Sequence, residues 1–523
     1  MSRSLPERPS LEFLKKRAKA LLRAAHKRDE AALQRFRTLP AFAKTPAIEI
    51  AAADLALHDA QSVIAREHGF ASWNALREEV EARTLSFEDA VDEFLRCATG
   101  GVPGRAERLL ALHPAIGTAT LQTELVLGDV ERVEVRLRER SELVAQAGGP
   151  REWAPRLYAC HTCMHQGTPK RAEGLVRIAR RLCELGADPN AEYHWDWHPE
   201  LPRTTLWAAV CVVAHLPLAE ALLDAGANPT DGVTAHIAGG SGNLAALDLL
   251  HRFGLEVNGI PGGVPPLVYM MLWTDNPAGP RWLLEHGADP NLPWGPDGEG
   301  PLHVAARRWD VSMVELLARH GADPLQRRGD GCTPHTLAEL HGNADVATWL
   351  LAHGAKNELS PLERFVAACA RGDRASAEAM LAASPGLRRE LDPAHHLMLQ
   401  RPAESGNVPA LETMRACGFD PNRRDKDDVT ALHRAAMAGH PEAPRVLLSF
   451  GADVAALDGM FAAPPLVWVA EGRNHAQPGS DHVRVARLLI EAGSPLEWTP
   501  PAAAPSPERT IADLIELRRE AAS

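Results

Sequence analysis

The sequence predicts an all-α solenoid of stacked helix pairs. The first observation is a recurring glycine-rich segment, as in Gly186 to Asn190 and Gly287 to Asn291. The second is its spacing, because from Gly186 onward the corresponding glycines follow one another after 40, 28, 33, 34, 33, 64, 33 and 42 residues. A period near 33 residues is typical of a stacked array. Such an array offers an extended surface rather than one pocket, which favours binding as the function.

The clearest unit extends from Gly300 to Pro324. Residues 301–306 open a first helix and residues 311–319 form a second, each with its apolar side chains on one face. Neither face can be buried by one unit alone, so neighbouring units must stack. Gly321 suits the left-handed position that ends a helix, and the Asp-Pro pair after it cannot continue that helix.

The helix openings at Pro301 to Ala306 and Thr430 to Ala436 resemble the Thr-Pro-Leu-His motif of the ankyrin-repeat family. The resemblance covers roughly residues 85–497 and implies an L-shaped helix-turn-helix and a projecting finger in each repeat. Three repeats depart from the family where it usually has histidine, and there the sequence has Trp207, Val268 and Val467.

The repeat pattern predicts four regions. The first ends near residue 84, before the repeats begin, and the strict glycine-rich tail is lost after Gly354, which suggests a second sub-array from about Pro361. The predicted regions are an N-terminal helical leader or cap (1–84), a first ankyrin sub-array (85–358), a second sub-array (359–499), and a Pro/Ala linker with a C-terminal capping helix (500–523).

The leader begins with an amphipathic helix capped by Ser10, with lysines and arginines opposite its apolar stripe. Residues 1–35 carry ten Lys or Arg and four acidic residues. The preferred interpretation is a solvated face on a capping helix; the alternative is contact with nucleic acid, a membrane surface or an acidic partner. The leader resembles segments that precede ankyrin arrays in a group of bacterial proteins, and we expect Phe70 and Trp73 to dock it on the first repeat.

Composition narrows the function classes. The net charge of −12 and the pI near 6.0 argue against a general nucleic-acid binder, which needs a basic surface. The chain starts without an apolar signal core, and the apolar run 206–214 is less than half of the ~20 residues that a membrane helix requires. We therefore expect a soluble cytoplasmic protein whose eight scattered cysteines are reduced.

One motif suggests a metal. Cys160, Cys163 and His165 have a Cys-x-x-Cys spacing with a nearby histidine, which could supply zinc ligands. No second ligand pair follows at the spacing of a zinc finger. We expect instead that the segment is a first helix, with both cysteines facing the core and with His161 and His165 facing outwards. No metal or cofactor is therefore predicted.

The sequence also lacks a convincing catalytic set. Residues 239–243 are rich in glycine but match neither a phosphate loop nor a nucleophile elbow, so a turn between two helices is preferred. Histidines recur at helix starts, which suits hydrogen bonds that tie each unit together better than a single active site. These histidines are His236, His303, His335 and His433. We assign no catalytic residue and predict a non-enzymatic protein.

The candidate partner-binding residues are on the fingers. Seven of the twelve tryptophans fall between residues 195 and 309, and some lie in long connections where exposed aromatic residues could anchor a partner. The alternative is that these rings pack on one another and stiffen the loops. The proposed anchors are Tyr193, His194, Trp195, Trp197 and Trp294, and the proposed polar rim is Arg327, Arg328 and Asp330. The sequence thus predicts a scaffold that holds an unidentified protein partner in a concave groove and on its finger tips.

Overall fold

A computed structural model describes residues 5–6, 9–195, 198–259, 263–474, 476, 479–499 and 507–522. The described chain is helical apart from one two-stranded sheet and two isolated bridges. It forms two compact units, one of residues 1–193 with 204–228 and the other of residues 194–203 with 229–523.

The first unit contains thirteen α-helices among its described residues, together with short 3-10 turns at Pro40–Phe42, Pro114–Thr118 and Ser141–Val144 and a π-helical turn at Ala208–Val212. The α-helices are α1 (Leu11–His26), α2 (Glu30–Phe36), α3 (Ala47–Ile50), α4 (Leu57–Glu67), α5 (Trp73–Thr84), α6 (Phe87–Thr99), α7 (Pro103–Leu112), α8 (Leu121–Val126), α9 (Val130–Glu139), α10 (Pro155–His161), α11 (Pro169–Glu184), α12 (Thr205–Trp207) and α13 (Leu216–Asp224).

The second unit continues as helix pairs joined by short turns. Its helices are α14 (Thr234–Gly240), α15 (Leu244–Arg252), α16 (Pro266–Trp273), α17 (Ala278–Glu285), α18 (Pro301–Arg308), α19 (Val311–Arg319), α20 (Pro334–Leu340), α21 (Ala344–Ala352), α22 (Pro361–Ala370), α23 (Arg374–Ala383), α24 (Leu387–Glu390), α25 (Pro393–Leu397), α26 (Gln400–Ser405), α27 (Val408–Cys417), α28 (Ala431–Ala438), α29 (Glu442–Ser449), α30 (Pro465–Arg473), α31 (His482–Glu491) and α32 (Pro507–Ala522).

The leader has an apolar core of its own. The buried side of α1 consists of Leu14, Ala18, Leu21 and Ala25, and the hydroxyl of Ser10 caps the helix by accepting a hydrogen bond from the backbone of Phe13 at 3.2 Å. Both features agree with the sequence prediction. Phe70 and Trp73 pack against this leader core, whereas we had expected them to anchor the leader on the first repeat.

Backbone geometry explains the repeated glycine-rich tail. Gly287 and Gly321 end their helices with φ of +91° and +92°, a conformation that side chains disfavour. The next finger is then joined to its neighbour, because the side-chain amide of Asn291 donates to the carbonyl of Gly321 at 2.8 Å. The recurring Asn therefore belongs to the contact between repeats.

Three of the four recurring histidines, His236, His303 and His433, hold repeats together as predicted. His335 does not, because both of its ring nitrogens are buried without a hydrogen-bond partner among the described residues. In the His303 ring, Nδ1 accepts a hydrogen bond from the backbone N–H of Gly300 at 3.3 Å, and Nε2 donates to the carbonyl of Cys332 at 3.3 Å in the following repeat. His433 makes the equivalent contacts with Thr430 and Ala463. These rings are used in structural hydrogen bonds between repeats.

Two details differ from the sequence analysis. The long connection after Asp188 forms strands β1 (Glu192–Trp195) and β2 (His198–Thr204), which pair with each other, where only extra loop length was expected. At the predicted boundary between sub-arrays, Leu340 and Phe365 belong to one continuous apolar core. The division of the array near residue 358 therefore stays a prediction.

Candidate partner-binding surface

An aromatic cluster lies in the second unit and consists of the exposed Trp273 and the partly buried Tyr269 and Trp294. The Trp273 ring lies 4.7 Å from that of Tyr269 and 6.1 Å from that of Trp294, between ring centroids, and the second contact is edge-on. Trp273 is 56% exposed although it is one of the largest apolar side chains. Trp and Tyr are enriched among the residues that dominate protein-binding energies.

Local structure holds the cluster in place. Tyr269 and Trp273 lie one helical turn apart on α16, which starts with a proline at its first position and ends at Trp273. Trp294 is on a finger, where its backbone N–H donates to the carbonyl of Glu299 at 3.0 Å and its carbonyl accepts from the Glu299 N–H at 2.9 Å. The indole N–H of Trp309 donates to the carbonyl of Met271 at 2.9 Å, which ties the next repeat to α16. The aromatic cluster is therefore preorganised.

A connected group of four arginines adjoins it, and we call Arg307, Arg308, Arg328 and Arg401 the arginine cluster. Arg307 and Arg328 share the carboxylate of Glu299, at 2.9 and 3.7 Å. Arg401 donates to the backbone carbonyl of Arg308 at 3.1 Å across 93 residues of sequence. The cluster thus joins residues of three separate segments.

The arginine cluster is contiguous with the aromatic cluster. The guanidinium of Arg308 donates to the carbonyl of Leu272, the residue before Trp273. On the other side, the Glu299 carboxylate that binds Arg307 belongs to the finger that carries Trp294. An apolar anchor and several hydrogen-bond donors are therefore available on one surface.

Burial and the charges of the arginine cluster both shift the pKa values of groups packed against it. Burial lowers the pKa of the Arg307 guanidinium, and the carboxylate of Glu299 opposes that shift. The pKa of His341 falls to about 3 because of burial and because of the positive charges of Arg307, Arg401 and Arg328. His341 is therefore neutral at neutral pH.

Three acidic partners of the cluster, Asp275, Asp330 and Glu404, are more exposed than the arginines that they pair with, whereas Glu299 is less exposed than Arg307 and Arg328. Arg308 is 21% exposed, and its carboxylate partner Asp275, 2.9 Å away, is 85% exposed. Arg401 pairs with the half-exposed Glu404 at 3.3 Å, and Arg328 pairs with the half-exposed Asp330. These acids thus lie on the solvent side of guanidinium groups, and backbone carbonyls bind Arg308 and Arg401 on the protein side.

The structure separates the residues that the sequence analysis grouped together. Trp294 belongs to the aromatic cluster, and Arg328 and Asp330 belong to the arginine cluster or border it. Arg327 points elsewhere and pairs with Glu358 at 2.5 Å beside a shallow cavity of about 180 Å³. The cavity is lined by Pro324, Leu325, Arg327, Thr333, Ala355, Lys356 and Glu358.

The predicted anchors after residue 190 belong to another part of the chain. Tyr193 packs inside the first unit, with its ring centroid 4.6 Å from that of Trp153 and 5.2 Å from that of His161. The backbone of His194 and Trp195 lies in β1, but their side chains are outside the described part of the structure, and Trp197 is outside the described residues altogether. For Tyr193, the geometry matches the packing alternative.

Several surface residues were missed in the sequence analysis. These are Tyr269, Trp273, Arg307, Arg308 and Arg401. A signal was available for two of them, since the residue seven positions after the proline that opens the first helix is Trp273 in one repeat, Arg308 in the next and His341 in the third. Arg401 has no such signal, because its contact with Arg308 depends on how the intervening repeats stack.

The Cys160 segment differs from the predicted arrangement. Helix α10 ends at His161, and that histidine is only 2% exposed rather than facing outwards. All residues of α10 are buried in the first unit, so this helix has no outward face there. Burial lowers the pKa of His161 to about 3 and raises that of Cys160 to about 12. Among the described residues, no group of three or more His, Cys, Asp or Glu is placed to hold a metal ion.

Sequence comparison identifies the repeats. Residues 275–360 match a family profile described as ankyrin repeats (3 copies), and residues 399–448 match one described as ankyrin repeats (many copies). The chain contains ankyrin repeats. Both matched segments lie in the second unit, and the first of them contains Trp294 and most of the arginine cluster. The all-α ankyrin solenoid predicted from the sequence is confirmed.

Relatives share short parts of this ankyrin array. The chain is 44% identical over 64 residues to the 2-5A-dependent ribonuclease of Homo sapiens, which covers 12% of this chain and 9% of that protein. It is 53% identical over 53 residues to the BTB/POZ domain and ankyrin repeat-containing protein NOOT1 of Medicago truncatula, covering 10% and 11%. It is 26% identical over 214 residues to Rabankyrin-5 of Mus musculus, covering 38% and 18%.

The chain therefore spans less than a fifth of the length of each of these relatives. They are eukaryotic, so they do not confirm the bacterial origin suggested by the leader. Within the described part of the ankyrin chain, no helix combines the length and the apolar character needed to cross a membrane.

Proposed function

We propose that this ankyrin-repeat protein is a non-enzymatic cytoplasmic scaffold that holds a partner protein in its concave groove and on its fingers. The observation that carries the proposal is the exposure of Trp273 within a rigid aromatic cluster. A large apolar side chain that stays exposed between two other aromatic rings marks an interaction site more often than a solitary exposed residue does. Ankyrin repeats generally mediate protein–protein interaction, which supports the same assignment.

Preorganisation supports this function. Helix α16 and the paired backbone hydrogen bonds of a finger fix the backbones of Trp273 and Trp294, and their rings contact each other, so less freedom is lost on binding. The finger that carries Tyr193, His194, Trp195 and Trp197 remains a secondary candidate. For the metal-binding alternative, the described residues include no group of three or more His, Cys, Asp or Glu placed to hold a metal ion. Contact through the basic leader stays the second alternative.

The test is a comparison of two single variants with wild type. Trp273→Ala removes the exposed anchor, and Phe13→Ala removes a 60% exposed aromatic residue from the leader and serves as the matched control. Proteins retained from a lysate of the native host by wild type and Phe13→Ala, but not by Trp273→Ala, are then purified, and their dissociation constants are measured with all three chains.

We expect Trp273→Ala to lower the affinity for a purified partner by about tenfold or more, which is the loss expected of an interface hot spot. Its far-ultraviolet circular dichroism and melting temperature should match those of Phe13→Ala. Equal affinity of a direct partner for all three chains would remove the aromatic cluster from the proposal and redirect the search to the fingers near Tyr193.

A further inference from the structure

The arginine cluster beside Trp273 has a chemistry that the aromatic anchor does not explain. Four guanidinium groups converge there, and guanidinium groups bind carboxylates through paired, charge-assisted hydrogen bonds. A solenoid needs no such cluster to stack its repeats, because its apolar faces do that. The cluster therefore suggests what kind of partner the surface recognises.

The backbone supports the arginines on the protein side. Arg308 donates to the carbonyl of Leu272, and Arg401 donates to the carbonyl of Arg308, so part of each donor set is used to fix orientation. The Nε atoms of Arg307 and Arg308 are buried from solvent and have no hydrogen-bond partner among the described residues. The guanidinium groups are thus held in place from the protein side, and these two Nε donors, being buried, are out of a partner's reach.

Exposed acids occupy the opposite side. Asp275 touches Arg308 from solvent and is 85% exposed, and ion pairs of such exposed groups contribute about 0–1 kcal/mol. Glu404 covers Arg401 in the same way. A carboxylate from another molecule can replace these acids at little cost, because each displaced side chain simply returns to water.

We propose that the surface recognises an acidic peptide segment of the partner in which a large apolar side chain lies next to Asp or Glu. The apolar side chain packs on Trp273 and Trp294, and the carboxylates replace Asp275 and Glu404 on Arg308 and Arg401. Charge complementarity sets this choice of occupant, since the groups beneath the displaceable acids are the guanidiniums of Arg308 and Arg401 and the neighbouring contact is aromatic. This inference rests on the proposed function and specifies the partner that it requires.

The probe is a random-peptide phage library selected on the full chain. Enriched peptides are synthesised with a fluorescent label, and their affinities are measured for wild type, Arg308→Gln, Asp275→Asn and Trp273→Ala. We expect enriched peptides to be acidic with an apolar residue beside the acid. Arg308→Gln should lower the affinity for these peptides by about tenfold or more, because a charge-assisted pair is lost. Asp275→Asn should raise the affinity for these peptides by roughly threefold, because it removes a competing carboxylate.

The Asp275→Asn variant protects the test against misfolding, since its side chain is almost fully in solvent. Enrichment of neutral or basic peptides, or equal affinity for wild type and both charge variants, would overturn the inference. If peptide binding then still depends on Trp273, the proposed function survives without the acidic specificity. If binding depends on neither Trp273 nor Arg308, the proposed function and the acidic specificity both fail. A single-stranded oligonucleotide that competes in an Arg308-dependent way would assign the cluster to phosphate and would also overturn the proposal.

Discussion

Asn291 and Asp323 are 32 residues apart and are joined by a hydrogen bond in which the backbone N–H of Asp323 donates to Oδ1 of Asn291 at 2.7 Å. The same asparagine donates through its Nδ2 to the carbonyl of Gly321 at 2.8 Å. One side chain thus bridges two consecutive glycine-rich tails. Asn190 bridges to Gly226 and Asn228 in the same way, whereas the tail at Gly321 ends in Leu325 and has no such side chain. The asparagine of the Gly-Ala-Asp-Pro-Asn tail is therefore a contact between repeats where it occurs.

Replacing Asn291 by Ala should destabilise the ankyrin array. Two inter-repeat hydrogen bonds are lost, and since they are exposed the expected cost is about 1–2 kcal/mol in the free energy of unfolding. Urea denaturation, monitored by circular dichroism, measures this change in the free energy of unfolding. Asn422→Ala is the matched variant, because Asn422 bonds Gly451 and Asp453 in the same way. Unchanged midpoints in both variants would show that the bridges do not contribute.

Acid should weaken the array through His303. Burial lowers its pKa from 6.5 to about 4 in the folded chain, so below pH 6.5 the unfolded chain binds a proton more readily. The contribution of neutral His303 to the free energy of unfolding is complete above pH 6.5 and is lost as the pH falls towards 4. The largest loss is roughly 3 kcal/mol. Unfolding free energies of wild type and His303→Gln between pH 7 and 4 test this. An equally steep pH dependence in the variant would contradict the assignment to His303.

Arg156→Leu should leave the stability unchanged or increase it. Arg156 is 3% exposed at the helix position that Leu302 occupies in the clearest repeat, and its Nε and Nη1 have no hydrogen-bond partner among the described residues. Replacing a poorly satisfied buried charge by an apolar side chain raises stability by about 1–4 kcal/mol in comparable cases. The melting temperature is the readout, with Leu302→Ala as a destabilised reference. A marked loss of stability would show that Arg156 has a partner beyond the described residues.

Cys160 should resist alkylation in the folded chain. Burial raises the pKa of its thiol to about 12, so almost none is present as the reactive thiolate near neutral pH. Iodoacetamide labelling followed by mass spectrometry should modify Cys160 only after denaturation, whereas the partly exposed Cys183 serves as the native-state comparison. Rapid native labelling of Cys160, or its protection by added zinc, would favour the metal alternative.

The basic face of α1 should contribute little to stability. Lys15, Lys16 and Lys19 are exposed, and the Lys16 ammonium pairs with the exposed Glu12 at 2.8 Å. The triple change to Gln should alter the free energy of unfolding by less than about 0.5 kcal/mol per site. Leu21→Ala, on the buried side, should cost about 2–5 kcal/mol. Thermal unfolding of the two variants distinguishes a solvated face from a buried one.

Local chemistry made much of this protein predictable. The glycine spacing, the helix openings and the caps at Ser10 and Ser72 each depend on a few neighbouring residues, so the sequence alone determined the repeat class and many helix ends. The recurring histidines were interpretable in part, because His303 and His433 make matching contacts in their repeats, whereas His335 has no hydrogen-bond partner among the described residues.

Tertiary structure decided the candidate surface. Arg401 meets the carbonyl of Arg308 only because two intervening repeats stack between them, and Trp273 meets Trp294 because a finger folds beside α16. His161 was predicted to face solvent from helical periodicity, but its helix is enclosed on every side. Periodicity determines the direction of a side chain relative to its own helix, whereas burial and charge depend on which other segments are packed around it.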